Sequence, residues 1–307
     1  MEKGTNGNAD IMRGYMRYMK LERNYSPNTI EAYGRDLAKL TDWLDRQQLS
    51  LADVDEARLH AFAAALHDMG VGAVTQCRVL CSMRSLFRYL VADGYRPDDP
   101  MEHIPAPRTG EHLPEVLTTA EVDAMEDALD IMRPGGQRDR AIIEVLFSCG
   151  LRVSELVALR LSDLFLQERY VRVAGKGGKE RLVPISDRAV DELEAWFEWR
   201  ARINIMSGEE DYVFVSKLGR HLSRVMVLKM IKRQALAAGI NKTISPHTLR
   251  HSFATALLCG GADLRIIQTL LGHERIATTE IYTHIDSTAL RREILEHHPR
   301  NIGRGDS

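Results

Sequence analysis

The chain has 307 residues, 44% of them hydrophobic and 27% charged, with a formal net charge of −2. This length suffices for two domains with separate cores, and the composition excludes an intrinsically disordered chain. No apolar run is long enough for a membrane span, and the polar N-terminus lacks a signal-peptide core, so a cytoplasmic protein without membrane partners is expected.

The first hundred residues read as helices. Apolar spacing predicts one over 10–20. Ser26-Pro27 reads as an N-cap with proline at the first helical position, opening a helix to about Gln47. Two more follow at 55–69 and 73–92, punctuated by Gly70, Gly72 and Gly94. A compact helical bundle is expected over 1–102. Pro97, Pro100, Pro105, Pro107 and Pro114 then mark an extended linker, centred on 103–113, since proline blocks helix and strand.

The second domain, 114–307, reads as mixed. Helices are predicted at 119–132, 137–149, 187–204, 222–238, 247–259, 263–271 and 287–297. Tyr170–Val173 and Glu180–Ile185 alternate around Gly175-Lys-Gly-Gly-Lys179, a β-hairpin with lysines at its tip. Asp211–Val215 is a candidate third strand. The fold class is therefore mostly α, with an α+β second domain holding a small antiparallel sheet.

Charge is unevenly spread. No Asp or Glu occurs between Tyr212 and Gly261, a stretch containing Arg220 and Arg224, nor between Met69 and Ala92, which carries Arg78, Arg84 and Arg88. Each stretch is a candidate polyanion-binding surface. Cys77, Cys81, Cys149 and Cys259 form no CxxC pair and are expected to be buried free thiols.

Residues able to handle a phosphate recur along the second domain: Arg152, Lys176, His247, Arg250, His273 and Tyr282. Arginine offers a permanently charged fork that grips phosphate oxygens bidentately. Tyrosine becomes a nucleophile when a base and nearby cations help it ionise, and a lysine can protonate a leaving alkoxide. Transfer of a DNA phosphodiester to a tyrosine hydroxyl needs this set, and needs no metal or other cofactor. Each residue also has a plainer explanation. Arg152 can simply pair with Glu155 on a surface, worth about 0.3–0.5 kcal/mol. Lys176 suits any glycine-rich turn, and Tyr282 suits packing. His247 with His251 has the spacing of a zinc helix, but Arg250 would crowd a dication; His251 reads instead as a packing histidine.

Five motifs resemble those of the tyrosine recombinases, the lambda-integrase superfamily. They are Gly150-Leu-Arg-Val-Ser-Glu-Leu156, Gly175-Lys-Gly-Gly-Lys-Glu-Arg181, Pro246-His-Thr-Leu-Arg-His-Ser-Phe-Ala254, Leu270-Leu-Gly-His273 and Thr279-Glu-Ile-Tyr-Thr-His284. Within that superfamily the chain is similar to the Xer recombinases, the D-type branch above all, from about Asp10 to Arg300; the ending His297-His-Pro-Arg300 resembles D-type tails. Ala277 departs from the small polar residue that relatives often carry. The chain reads as lacking the extra N-terminal arm-binding domain of lambda-type integrases, so a phage integrase is the weaker expectation.

The resemblance implies an N-terminal SAM-like bundle and a catalytic domain that clamp duplex DNA. It gives Arg152 and Arg250 to the scissile phosphate and Lys176 to the 5′-hydroxyl as general acid. His247 would help activate the nucleophile Tyr282, and His273 would hydrogen-bond the phosphate. Further DNA contacts are expected at Thr29, Tyr33, Arg35, Arg78, Arg84, Arg88, Lys179, Arg220 and Arg224. It also implies a tetramer on two DNA sites, formed with a second Xer-type recombinase or with copies of this chain, the helix near 287–297 docking on a neighbour. The role implied is resolution of chromosome dimers at division with an FtsK-type septal DNA translocase. An integrase or invertase of a mobile element is the alternative.

Overall fold

The computed structural model describes residues 5–105, 115–175, 180–272 and 294–301. The chain divides into two compact units, Met1–His112 and Leu113–Ser307.

The first unit is built from α1 (Thr5–Leu21), α2 (Pro27–Arg46), α3 (Glu56–Asp68) and α4 (Ala73–Ala92). The Ser26 side chain caps α2 by accepting from the Thr29 amide, and Asp55 caps α3 in the same way. Side-chain acceptors there satisfy donors that a helix start leaves unpaired. The apolar faces close a core around Tyr15, Leu37, Leu40, Phe62, Met83 and Phe87, all fully buried.

The second unit contains α5 (Thr119–Asp127), α6 (Pro134–Cys149), α7 (Val153–Ala158), β1 (Leu164–Phe165), β2 (Tyr170–Ala174), β3 (Glu180–Pro184), α8 (Asp187–Arg200), α9 (Arg224–Ala237), α10 (Pro246–Cys259) and α11 (Leu264–Leu271). The sheet is antiparallel in the order β1-β2-β3, with Val173 opposite Arg181 and Ala174 opposite Glu180. One core runs from α5 through α9 around α6, whose face is buried from Ala141 to Cys149. A smaller cluster joins Phe253 and Leu257 of α10 to Ile267, Leu270 and Leu271 of α11 and to Ile294.

The third strand is not Asp211–Val215 but Leu164–Phe165. The backbone of 211–215 is spent elsewhere. Asp211 O accepts from Leu161 N, Val213 N donates to Leu159 O, and Tyr212 and Val215 form only isolated bridges. Helix α5 also ends at Asp127, short of the expected 132.

The thiols differ from expectation too. Cys149 is buried, Cys77 half-buried, and Cys81 and Cys259 are exposed. Cys81 falls on the outer face of α4, whose inner face is already filled by Leu80, Met83 and Phe87. No helix among the described residues is long and apolar enough to cross a membrane.

The end of the chain returns to the second core. His298 is fully buried, with its ring 5.2 Å from Phe147 and 5.5 Å from Phe253. The Arg300 guanidinium enters a buried acidic set and pairs with Asp123 of α5. Its Nε lies 3.0 Å from Glu144 Oε2, an ion pair whose angle falls short of a hydrogen bond. Arg188 meets the same carboxylates, bonding Glu126 at 2.5 Å.

Candidate active site

Helix α6 stops at Gly150, whose φ of +59 reverses the chain. A Cβ there would lie 2.4 Å from the Phe253 ring, so only glycine allows both the turn and the close approach of α10. The turn delivers Arg152 to the N-cap of α7. Glu155 sits at the third position of that helix, and its Oε2 accepts from the Arg152 amide at 2.7 Å.

Arg250 lies one turn into α10, which Ser245 caps and Pro246 opens. The Arg250 guanidinium is buried, yet it makes no close carboxylate pair. Its Nη1 donates to Gly150 O at 2.6 Å and its Nη2 to Leu271 O, while Glu155 Oε2 stands 4.0 Å away. Burial, with repulsion from Arg152 and Arg181, lowers its pKa to about 10 against the pull of Glu155. It therefore stays charged at neutral pH.

Glu155 is the anionic centre of the cluster. Its side chain is 4% exposed, so its contact with Arg152 is not the surface pair that sequence alone allows. Arg152 Nη1 reaches Oε1 at 2.8 Å, and Arg181 of β3 grips both oxygens at 3.0 Å. Burial would raise the Glu155 pKa, but bonds from Arg181, the Arg152 amide and the Arg152 side chain outweigh it and hold the carboxyl below its ordinary value.

Three arginines from different elements also meet three successive carbonyls where α11 ends. Leu270 O accepts from Arg181 Nε at 3.1 Å, Leu271 O from Arg250, and Gly272 O from Arg152 Nη2 at 3.1 Å. A helix leaves its last carbonyls unpaired and carries partial negative charge there, so cations bind them well. Gly272 is left-handed, with φ +62, and closes the helix next to the Arg181 guanidinium.

The structure thus brings Arg152 and Arg250 together, with three guanidinia around one carboxylate. His247 stands in the first turn of α10 and is exposed. His251 is exposed as well, not packed, because α10 turns Leu249, Arg250, Phe253 and Leu257 inward. Lys176, Lys179, His273, Tyr282 and most of the expected helix at 287–297 lie outside the described residues. Sequence reading gives Arg181 no role and Glu155 only a surface one. Their signal is faint: a glutamate at the third position of a short helix, and an arginine opposite Val173 in a hairpin.

The expected DNA contacts divide by what already holds them. Arg78 chelates Asp36 through two bonds of 2.7 and 2.9 Å, and Arg35 pairs with Glu31. Arg84 donates to Ile104 O at 2.6 Å, and Thr29 bonds the α2 cap residue Ser26. Tyr33 is half-buried, edge-on to Tyr25. Arg220 lies against the sulfur of Met206, while Arg88 and Arg224 are exposed and pair with no carboxylate among the described residues. Acids from elsewhere in the chain neutralise part of the acid-free stretch, with Asp139 on Arg233 and Glu121 on Lys242.

A helical bundle followed by a helical domain with a small sheet and three clustered arginines is, by family model and by relatives, a DNA strand-transfer enzyme of the tyrosine recombinase class. The model of the phage integrase family matches residues 115–288, and that of the phage integrase N-terminal SAM-like domain matches residues 12–94. The chain belongs to the phage integrase family. It is 42% identical to the tyrosine recombinase XerD of Proteus mirabilis, over 95% of this chain and 94% of that one. It is 39% identical to XerD of Staphylococcus saprophyticus, over 94% and 99%. Among solved structures, the XerH site-specific recombinase bound to difH in a pre-cleavage complex has the same fold, with a TM-score of 0.70 at 24% identity, covering 95% of this chain and 96% of that one.

Proposed function

We propose that this chain recombines duplex DNA at a specific site by two successive transesterifications. Arg152 and Arg250 bind the non-bridging oxygens of the scissile phosphate, where negative charge grows in the transition state. The Tyr282 hydroxyl loses its proton with help from His247 and attacks phosphorus. The bond to the 5′ oxygen breaks, and Lys176 gives that oxygen a proton. His273 donates a further hydrogen bond to the phosphate. The product is a 3′-phosphotyrosyl linkage and a free 5′-hydroxyl. Attack by the 5′-hydroxyl of a partner strand reverses the chemistry, so the energy of the broken bond is kept and no ATP is used.

The observation that carries this reading is the convergence of Arg152 and Arg250, from elements far apart in sequence, on the residues that immediately precede His273. In this reading the bundle, 1–102, holds DNA beside the cleavage point, a linker spans 103–113, and 114–307 cuts. Binding rests on phosphate contacts and weakens with salt. Kinship with recombinases named XerD supports a role in resolving chromosome dimers at cell division; we further propose that the chain acts in the cytoplasm, in a tetramer with a second Xer-type recombinase and with an FtsK-type translocase as partner.

The test is covalent capture. The chain is mixed with fragmented DNA of the genome that encodes it, washed under denaturing conditions, and the retained DNA is sequenced. One discrete site is expected with the wild type and nothing with Tyr282→Phe. Equal recovery with both overturns the reading.

A further inference from the structure

We propose that Arg181 is a positioning residue for strand cleavage: it occupies Glu155 so that Arg152 stays open to the phosphate. The proposal rests on the assignment of Arg152 to that phosphate.

Glu155 is a buried carboxylate with guanidinia on two sides. A carboxylate facing a single arginine takes the fork by two parallel bonds, the strongest form of this pair. Arg152 would then be drawn onto the carboxylate with its fork turned away from a phosphate. In the structure that bidentate place belongs to Arg181, which meets both oxygens at 3.0 Å. Arg152 keeps one side-chain bond to Oε1 and one to Gly272 O.

Exposure divides the two arginines in the same sense. The Arg152 side chain is 35% exposed, that of Arg181 17%. Every nitrogen of Arg181 is used within the protein, Nε on Leu270 O and both Nη on Glu155. Two of its five N–H groups remain, on a side chain about half as exposed as that of Arg152. Its backbone is fixed in β3 opposite Val173, and a strand holds a side chain more tightly than a loop does. Arg181 therefore sets the charge and position of Glu155, and through Glu155 the reach of Arg152.

The probe is single-turnover cleavage of a nicked duplex bearing the covalently captured site, read as adduct per unit time beside gel-shift affinity and thermal melting. R181Q is expected to cleave on the order of 10- to 100-fold more slowly, the usual cost of losing a group that orients a site residue, with affinity near wild type. R181K restores part of the rate, because lysine supplies the charge without the fork. The decisive readout is suppression. With Arg181 gone, the Glu155 charge captures Arg152, so R181Q/E155Q should cleave faster than R181Q alone. A purely architectural role predicts a double variant no better than the single.

If R181Q does not fold, R181K against R181K/E155Q carries the same comparison. R181Q at wild-type rate, or a double variant no faster than its parent, overturns the proposal. If wild type forms no adduct, the functional reading falls and takes this inference with it. If wild type forms adduct and the suppression is absent, only the inference fails.

Discussion

The Arg250 guanidinium donates to the Gly150 carbonyl at 2.6 Å across a hundred residues of sequence. The bond exists because Gly150 adopts a left-handed turn and Phe253 packs against its missing side chain. One arginine is thus both part of the architecture and a candidate phosphate ligand.

Arg250→Lys tests the second role while keeping the charge, with thermal melting reporting any damage to the first. Lysine keeps the charge but has no planar fork, so it cannot serve two carbonyls and a phosphate together. Cleavage of a nicked site should fall by about 10²–10³-fold, the cost of removing one preorganised donor to a developing oxyanion. Equilibrium binding of the intact duplex should change little, since one phosphate contact among many is affected. Parallel losses of both would argue against the role.

Gly150→Ala should damage stability as well as activity. A non-glycine residue at φ +59 costs roughly 1–2 kcal/mol, and the clash with Phe253 adds overpacking of about 1–3 kcal/mol. Denaturant unfolding should therefore show a loss of about 2–5 kcal/mol. An unchanged midpoint would contradict the close approach of α10.

Arg78 and Arg88 should separate folding from DNA binding. Asp36, 1% exposed in its side chain, depends on Arg78 for two bonds. Arg78→Ala leaves that carboxylate short of partners and should cost about 1–3 kcal/mol of stability. Arg88 is exposed and pairs with no carboxylate among the described residues. Arg88→Ala should leave the melting temperature alone and reduce the salt dependence of DNA binding by about one counterion. A melting loss for Arg88→Ala, or none for Arg78→Ala, would reverse this assignment.

The buried acids beneath the chain end predict a pH response. Burial, then repulsion from Glu144, pushes the Glu126 carboxyl up to about 8, with Arg300 and Arg188 opposing. The folded chain holds a proton that the unfolded chain releases near the ordinary value of 4.5. Stability from this group is complete below that value and is lost as pH rises toward about 8. Glu126→Gln should flatten the fall in unfolding free energy across this window. Arg300→Leu, which strips a counter-ion from buried carboxylates, should cost about 3–5 kcal/mol at neutral pH. A wild-type profile identical to that of Glu126→Gln would show that Glu126 does not titrate there.

Much of the fold was legible because its signals are local. Ser26-Pro27 marks the start of α2, and alternation on either side of the glycine-lysine run marks β2 and β3. A two-residue strand such as Leu164–Phe165 has no alternation to read. Within the candidate site, motif spacing identifies Arg152 and Arg250. The grip of Arg181 on Glu155, and the neutralising of Arg78 by Asp36, join residues 26 and 42 positions apart that no local pattern connects. Exposure of His251 depends on which face of α10 the core claims.

The three guanidinia on Leu270, Leu271 and Gly272 also fix the phase of a short helix. A slip by one residue would advance α11 by about 1.5 Å and rotate it by roughly a quarter turn. Each arginine would then face the wrong oxygen. Helix α11 is therefore keyed like a lock at its exit. An inserted or deleted residue within it would misdirect the departing chain at Gly272, even if every apolar contact of the helix were rebuilt.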